Sequence, residues 1–551
     1  MSDHGNRGAS HGSAAVITAG AVAAGAVTLS KYSGAITPSA QSAQSSLGPS
    51  ELTPAQASRF LAQATNGATR ADIDSLVTSG IGSWLDAQFA MPRSQSHWDW
   101  LMAAGYGQNV KLQGKGWDNS VWRQLISAPD QLRQRVALAL LDILVVSIDA
   151  LNFEWRNFGM AAYMDVLLDH AFGNYRSLLG AITTNAAMAN FLTFLNNKAG
   201  YEGSHPDENY ARELMQLFTI GLRQLNPDGT EQLGADGNPI DTYSQNDVSQ
   251  LARVFTGLVL ATKDNSTPDR LREPLVMRGL WNETGSSSFL GHTLPQGGKW
   301  RAINQALDIL FAHPNVPPFV SRSLIQRLVA SNPTPAYVER VATVFADNGQ
   351  GVRGDLTAVV RAILTDKEAR DPTFGVANTE KLRDPVQRFT NWARAFKVAS
   401  PSGQWNFGDL SDPATRLAES PGRSPSVFNF FRPRYSPPNT EISRAGLVAP
   451  EFQITTEDSV VGYINYMALT VPGRGDISPD YADLIALAAD SEALVAEINL
   501  ILAAGGLSAT TVATIKSAVD SISLSARNAA QRRVIIAVTL ALASPEYIAV
   551  A

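Results

Sequence analysis

Apolar residues recur at helical spacing over most of this chain, and that period predicts a mainly α protein. Val338, Val341, Ala342 and Phe345 fall at i, i+3, i+4 and i+7, and Leu356, Val359, Val360, Ile363 and Leu364 repeat the stripe one helix later. Asn348-Gly349-Gln350-Gly351 separates the two, and Asp355 offers an N-cap, so the pair is expected to fold back antiparallel. The same reading predicts helices over 53–64, 69–79, 130–149, 159–171, 175–197, 206–222, 244–258, 301–312, 317–330, 378–397, 455–470, 480–503, 508–522 and 526–543. Asn226-Pro-Asp-Gly229 and Asp236-Gly-Asn-Pro239 are turn sequences bracketing Glu231-Gln232-Leu233, which predicts a small β-hairpin. Residues 260–299 lack a helical period and read as a loop with short strands, and the Pro-rich run Ser424 to Pro438 must be irregular. The expected architecture is one large multi-helical domain over 51–551 with a small β-hairpin and long irregular loops. Residues 1–50 read as a signal-like leader and a Ser/Ala-rich linker.

Composition sharpens this picture. Hydrophobic residues at 44% against 17% charged supply a large core. Lys and Arg number 44 against 50 Asp and Glu, a net charge of -6 that argues against general attraction to nucleic acid or an anionic membrane. Cysteine is absent, which removes disulfides, thiolate metal sites and cysteine nucleophiles, and suits an oxidising compartment. Ala14 to Ser30 is an uncharged Ala/Gly/Val-rich run between Arg7 and Lys31, with the proportions of a signal-peptide core rather than a membrane span. Ser39-Ala40-Gln41-Ser42-Ala43 offers a cleavage site, and no Arg pair supports a twin-arginine route. The expectation is export to the periplasm or cell surface, with no transmembrane span beyond the leader.

The run His205-Pro-Asp-Glu-Asn-Tyr-Ala-Arg-Glu-Leu-Met-Gln-Leu-Phe-Thr-Ile-Gly221 closely resembles the central motif of the bacterial family called "domain of unknown function 1800". Further segments match in order: Arg59-Phe-Leu with Asn66-Gly67, Leu132-Arg-Gln-Arg-Val-Ala-Leu138, His170-Ala-Phe-Gly-Asn-Tyr-Arg176, Asn226-Pro-Asp-Gly229 through Tyr243, and Asp247-Val248 to Gly257. Phe428-Asn-Phe-Phe431 and Pro450-Glu-Phe452 complete the likeness, which runs from about Leu52 to the C-terminus. The chain departs from the family's His-Asp-x-Gly-x-Lys-like element, where it reads Leu280-Trp-Asn-Glu-Thr-Gly-Ser-Ser-Ser288. The resemblance implies an exported protein with no agreed activity, often encoded beside a sulfatase-like partner family, "domain of unknown function 1501".

Candidate chemistry gathers at the start of the predicted helix from Asp207 to Leu222. At 100° per residue, Glu208, Asn209, Arg212, Glu213 and Gln216 share one arc, while Tyr210, Ala211, Leu214, Met215, Leu217 and Phe218 share the other. His205 precedes the first turn. A catalytic reading makes Glu208 or Glu213 the base, Arg212 an anion clamp and His205 a proton carrier or metal ligand. Two blander readings compete: a solvated face laced by a Glu208–Arg212 pair worth about 0.2–0.5 kcal/mol, or a buried polar network. The resemblance favours the network. Ser244 and Asp247 read as a capping box, with Asp247 a cap before it is a catalyst. Arg253, across that helix, is placed to reach Glu208 or Glu213. Asn209, Tyr243, Asp247, Arg253 and Tyr435 are the candidate binding residues, His170 complements a helix C-terminus, and Arg135 reads as a buried, paired structural arginine.

The chain has no Walker A loop, HExxH helix, GxSxG elbow or EF-hand pattern, and no two of its 7 His are four apart. No metal-ligand set is evident and no cofactor can be assigned. Three functional expectations follow. One is an exported helper or scaffold acting with a partner protein on a surface polymer or polysaccharide. Another is a hydrolase or lyase on an extracellular polysaccharide that uses the His205, Glu208, Arg212 and Glu213 cluster, which must then line a cleft. The third is a glycan-binding module, with Tyr435 or Trp281 flat-on to a groove.

Overall fold

Side-chain caps written into the sequence start many of the helices. Thr53 with Gln56, Thr69 with Asp72, Ser244 with Asp247 and Thr456 with Ser459 each close a capping box. Asp355 accepts from the backbone N–H groups of Thr357 and Ala358 and opens helix Leu356–Thr365. That helix and Pro335–Ala346 bury the two apolar stripes and pack on each other. The structure is a computed structural model that describes residues 52–108, 114–200, 205–371 and 381–550, so the leader expected over 1–50 lies outside the described residues. The protein is mainly α, with three short antiparallel strand pairs among the described residues.

Several predicted helices are shorter or divided, and local chemistry explains each case. The run 175–197 breaks into Tyr175–Thr183 and Ala186–Phe191 because Asn185 caps a new start, accepting from the N–H groups of Ala187 and Met188. Asp490 does the same within 480–503, dividing Ala482–Leu487 from Ser491–Ala503. The run 206–222 contracts to Asn209–Gln216: the N–H groups of Leu217 and Phe218 both donate to the Glu213 carbonyl, and the chain turns away at Gly221, φ 69°. Asp384 and Pro385 start helix Pro385–Ala395. Two Trp-bearing helices, His97–Ala103 and Trp117–Ser127, are not among the predicted ones: the first is only 7 residues long, and the second buries polar Asp118, Ser120 and Gln124 along with its apolar residues, which blurs the stripe.

The expected hairpin is a meander of single bridges pairing Arg223 with Asp241, Leu225 with Glu231 and Leu233 with Pro239. Two ladders organise the 260–299 excursion, Leu258–Val259 with Val276–Met277 and Ser287–Phe289 with His292–Leu294. A contiguous hydrophobic core runs from Leu52 to Tyr547. Helix Arg156–His170 lies within it, packed on Gln131–Ile143, Tyr175–Thr183 and Ala186–Phe191. Helices Asn209–Gln216 and Gln245–Val254 pack together at its edge and bring the motif residues onto one face. Among the described residues no helix is long and apolar enough to cross a membrane.

Candidate functional site

The polar arc of helix Asn209–Gln216 is divided among different neighbours. Glu208 occupies the N-cap position, and Arg212 one turn on reaches its Oε2 at 2.8 Å, the anticipated i,i+4 pair. Helix Gln245–Val254 closes the arrangement: Gln245 Nε2 donates to Glu208 Oε2 at 2.8 Å, Ser249 Oγ donates to Oε1 at 2.5 Å, and Arg212 also donates to Gln245 Oε1 at 3.1 Å. Desolvation works against the Glu208 charge, but hydrogen bonds from Ser249 and Gln245 and the charge of Arg212 outweigh it and hold the carboxyl below its ordinary value. Asn209 donates to Thr193 Oγ1 at 2.8 Å. His205 is exposed.

Glu213 lies in a different environment. It is 9% exposed, and its Oε2 is buried without a hydrogen-bond partner. Desolvation pushes its carboxyl up to about 7, against the pull of the Arg212 charge. Tyr243 shares this spot: its hydroxyl is buried and unpartnered, and burial pushes it up to about 12, with Arg212 lowering and Glu213 raising it. Arg212 thus stands between an ionised, saturated Glu208 and a poorly solvated Glu213.

Asp247 holds the cap of helix Gln245–Val254 through Ser244 and also accepts from the Leu290 N–H at 2.8 Å, tying the strand-rich excursion to the helix start. Arg253 does not reach Glu208 or Glu213. It pairs with Glu283 at 3.1 Å, because positions 245, 249 and 253 form one stripe whose far end meets the 280–288 segment. Glu283 also accepts from the N–H groups of Thr284 and Gly285. A small cleft beside this pair is lined by Arg253, Asn282, Ser287, Gly298 and Lys299, among others, with room for about one water-sized group. Trp281 does not lie open to a groove: the Lys198 ammonium stands 4.6 Å and the Arg278 guanidinium 4.0 Å from its ring centroid. Tyr435 is half-buried in a turn, its carbonyl accepting from Ala449, and the neighbouring Arg434 pairs with Glu231 of the meander at 2.7 Å.

A second polar centre was not identified from sequence. Asp142, Asp384 and Glu419 line a small cleft with Ser420, Asn429 and Phe430. Asn429 donates to Asp142 Oδ1 at 2.6 Å, Arg327 stands 3.7 Å from Asp142 Oδ2, and Arg135 donates to the Arg327 carbonyl at 2.7 Å. Arg135 is buried as expected, but among the described residues it makes no ion pair and its Nε and Nη1 have no hydrogen-bond partner. Lys381 and Glu451 form a buried pair close by. Desolvation raises Asp142 to about 6 and lifts Glu419 well above the carboxylate range. Three segments of the motif series therefore meet at one charge cluster: Leu132–Leu138, Phe428–Phe431 and Pro450–Phe452. The only sequence signal was the presence of acids and arginines inside otherwise apolar runs. Among the described residues no group of three His, Cys, Asp or Glu side chains is arranged to hold a metal.

No curated protein and no solved structure matches the chain. The motif positions are nonetheless ordered as one series through the fold, from Arg59 in the first helix to Pro450–Phe452. The family model described as "Protein of unknown function (DUF1800)" matches residues 59–549, and the chain belongs to that family.

Proposed function

We propose that this chain is an exported helper or scaffold of the cell envelope that acts with a partner protein in handling a surface polymer or polysaccharide. The observation that carries the scaffold reading is the closure of Glu208: both carboxylate oxygens are taken by Arg212, Gln245 and Ser249, so the family motif acts as a clasp between two helices. The two clefts described above are lined by other residues than His205, Glu208 and Glu213. Export rests on the signal-like run Ala14 to Ser30, and a sulfatase-like partner on the resemblance alone. The test is fractionation of cells carrying the tagged chain, followed by cross-linking and capture from the intact envelope. The reading predicts an envelope location that depends on residues 1–50 and co-capture of the sulfatase-like protein with polymer. A chain found only in the cytoplasm, or captured without either, refutes it.

One observation favours a second reading, a hydrolase or lyase on an extracellular polysaccharide. Glu213, raised to about 7 beside the free Tyr243 hydroxyl and the Arg212 charge, has the titration of a general acid/base. Release of new reducing or unsaturated ends from envelope polysaccharide, lost in Glu213→Gln, would establish that reading. Equal release by both proteins, or none, removes it.

A further inference from the structure

We propose that Lys198, Arg278 and Lys299, gathered around the turn at Gly279 to Trp281, form a binding surface for the acidic groups of an anionic polysaccharide, uronate carboxylates or sulfate esters. The assignment deepens the polymer-handling reading and rests on it.

The cations carry the first part of the argument. All three are exposed, and among the described residues none makes an ion pair, in a chain whose acids outnumber its bases. Trp281 holds two of them over its ring, and a Cβ built on Gly279 would come within 3.3 Å of the Lys299 Nζ, so the third sits on the same turn. Like charges brought together without a counter-ion repel one another, and a bound anion relieves that repulsion. The ring acts as a positioning element for the cations rather than as a stacking platform.

The cleft next to this turn is the second, independent observation. Ser287 lines it, is only 4% exposed, and among the described residues its hydroxyl makes no hydrogen bond. Lys299 stands at the mouth as the first residue of helix Lys299–Ala312, whose N-cap Gly298 supplies no side-chain cap. Glu283, the acid in the cleft, is neutralised by Arg253 and by the N–H groups of Thr284 and Gly285, which hold its carboxyl below the ordinary value against desolvation. One acidic oxygen fits the space beside the Ser287 hydroxyl. Leu280, 93% exposed at the crown of the turn, offers an apolar contact to a sugar face. A polysaccharide suits the site better than nucleic acid, because three local cations on an acidic protein do not make the extended phosphate track that nucleic acid requires.

Binding of the full chain is measured by fluorescence titration with oligogalacturonate and with dextran sulfate, using neutral dextran and a single-stranded oligonucleotide as controls. The proposal expects one or both acidic glycans to bind and neutral dextran not to bind. Each single variant, Lys198→Ala, Arg278→Ala or Lys299→Ala, is expected to weaken binding about three- to fivefold, and the triple variant more than about tenfold. Trp281→Phe, which keeps a ring under the cations, retains most of the affinity, and Trp281→Ala loses it. Circular dichroism melts confirm that each variant is folded. Acidic-glycan binding unchanged in the triple variant overturns this site while leaving polymer handling standing. No acidic-glycan binding by a chain that co-captures polymer from the envelope likewise overturns the site alone. Equal affinity for the oligonucleotide overturns the sugar assignment.

Discussion

Glu208 and Glu213 belong to the same short stretch of helix, yet their surroundings drive their titration in opposite directions. Glu208 has three donors on its two oxygens, and hydrogen bonding outweighs desolvation. Glu213 has lost water without gaining a donor on Oε2, and its carboxyl rises to about 7 from an ordinary 4.5. A folded-state value above the unfolded one favours the protonated form, so the stability it contributes is complete below about 4.5 and lost as pH climbs through about 7. Glu213→Gln removes this dependence. Urea denaturation at pH 4.5, 6 and 8 should show the wild type losing stability relative to the variant as pH rises, with a flatter profile for Glu213→Gln. Parallel profiles would mean that Glu213 is not shifted. Glu208→Gln, by contrast, discards a charge held below its ordinary value, and should cost most near neutral pH and least in acid, about 1–2 kcal/mol at pH 7.

Helix Gln245–Val254 is the element on which these contacts converge. Its first turn is held by Ser244 and Asp247, its stripe carries Gln245 and Ser249 to Glu208, and its last turn presents Arg253 to Glu283. Ser244→Ala removes one cap bond and is expected to cost about 1 kcal/mol. Asp247→Ala removes the reciprocal cap and also frees the Leu290 N–H, so about 2–3 kcal/mol is expected from the two losses. Chemical denaturation of both variants checks the order, and an Asp247→Ala cost no larger than that of Ser244→Ala would show that the Leu290 tie contributes nothing. The capping box was legible in the sequence because it is local, a Ser and an Asp three residues apart before an apolar stripe. The helical stripes of Pro335–Ala346 and Leu356–Thr365 were legible for the same reason. The partner of Arg253 was not, since the choice between Glu208, Glu213 and Glu283 depends on which segment folds across the helix. Glu213 was placed on the polar arc because helical spacing gives angle and not depth. Only the glycan-binding alternative asks for Tyr435 or Trp281 at an open groove; the cations over the Trp281 ring come from residues 198 and 278, and only the fold sets them there.

At the scale of the whole molecule, the buried charges join segments that the chain keeps far apart. Asp142 lies in the last turn of helix Gln131–Ile143, Arg327 lies at the end of Val316–Leu328, and Asn429 belongs to the Pro-rich run. Asp384 caps Pro385–Ala395, and Glu419 accepts from the Val386 N–H at 3.3 Å. Each charge has been taken from water, so the cluster holds only while its members stay matched. Asp142, raised to about 6 from 3.8, contributes stability in acid that fades as pH rises through 6, and Glu419, likewise raised by desolvation, acts in the same direction. Arg327→Met deletes the cation nearest Asp142. At pH 8 this leaves a carboxylate that can neither pair nor easily hydrate, and the expected cost is about 3–5 kcal/mol. At pH 5 the carboxyl takes up a proton and the cost is expected to be smaller. The double variant Arg327→Met with Asp142→Asn should recover most of the loss at pH 8, because no charge is then stranded and the Asn429 contact can persist. Equal destabilisation by Arg327→Met at both pH values, or a double variant no better than the single one, would mean that Arg327 acts through packing on the Phe431 ring, 4.7 Å from its guanidinium, rather than by matching charge. The coupling should also be global: because the cluster spans helices from Gln131 to Ala395, far-UV and tryptophan signals of Arg327→Met should fall in one coincident transition.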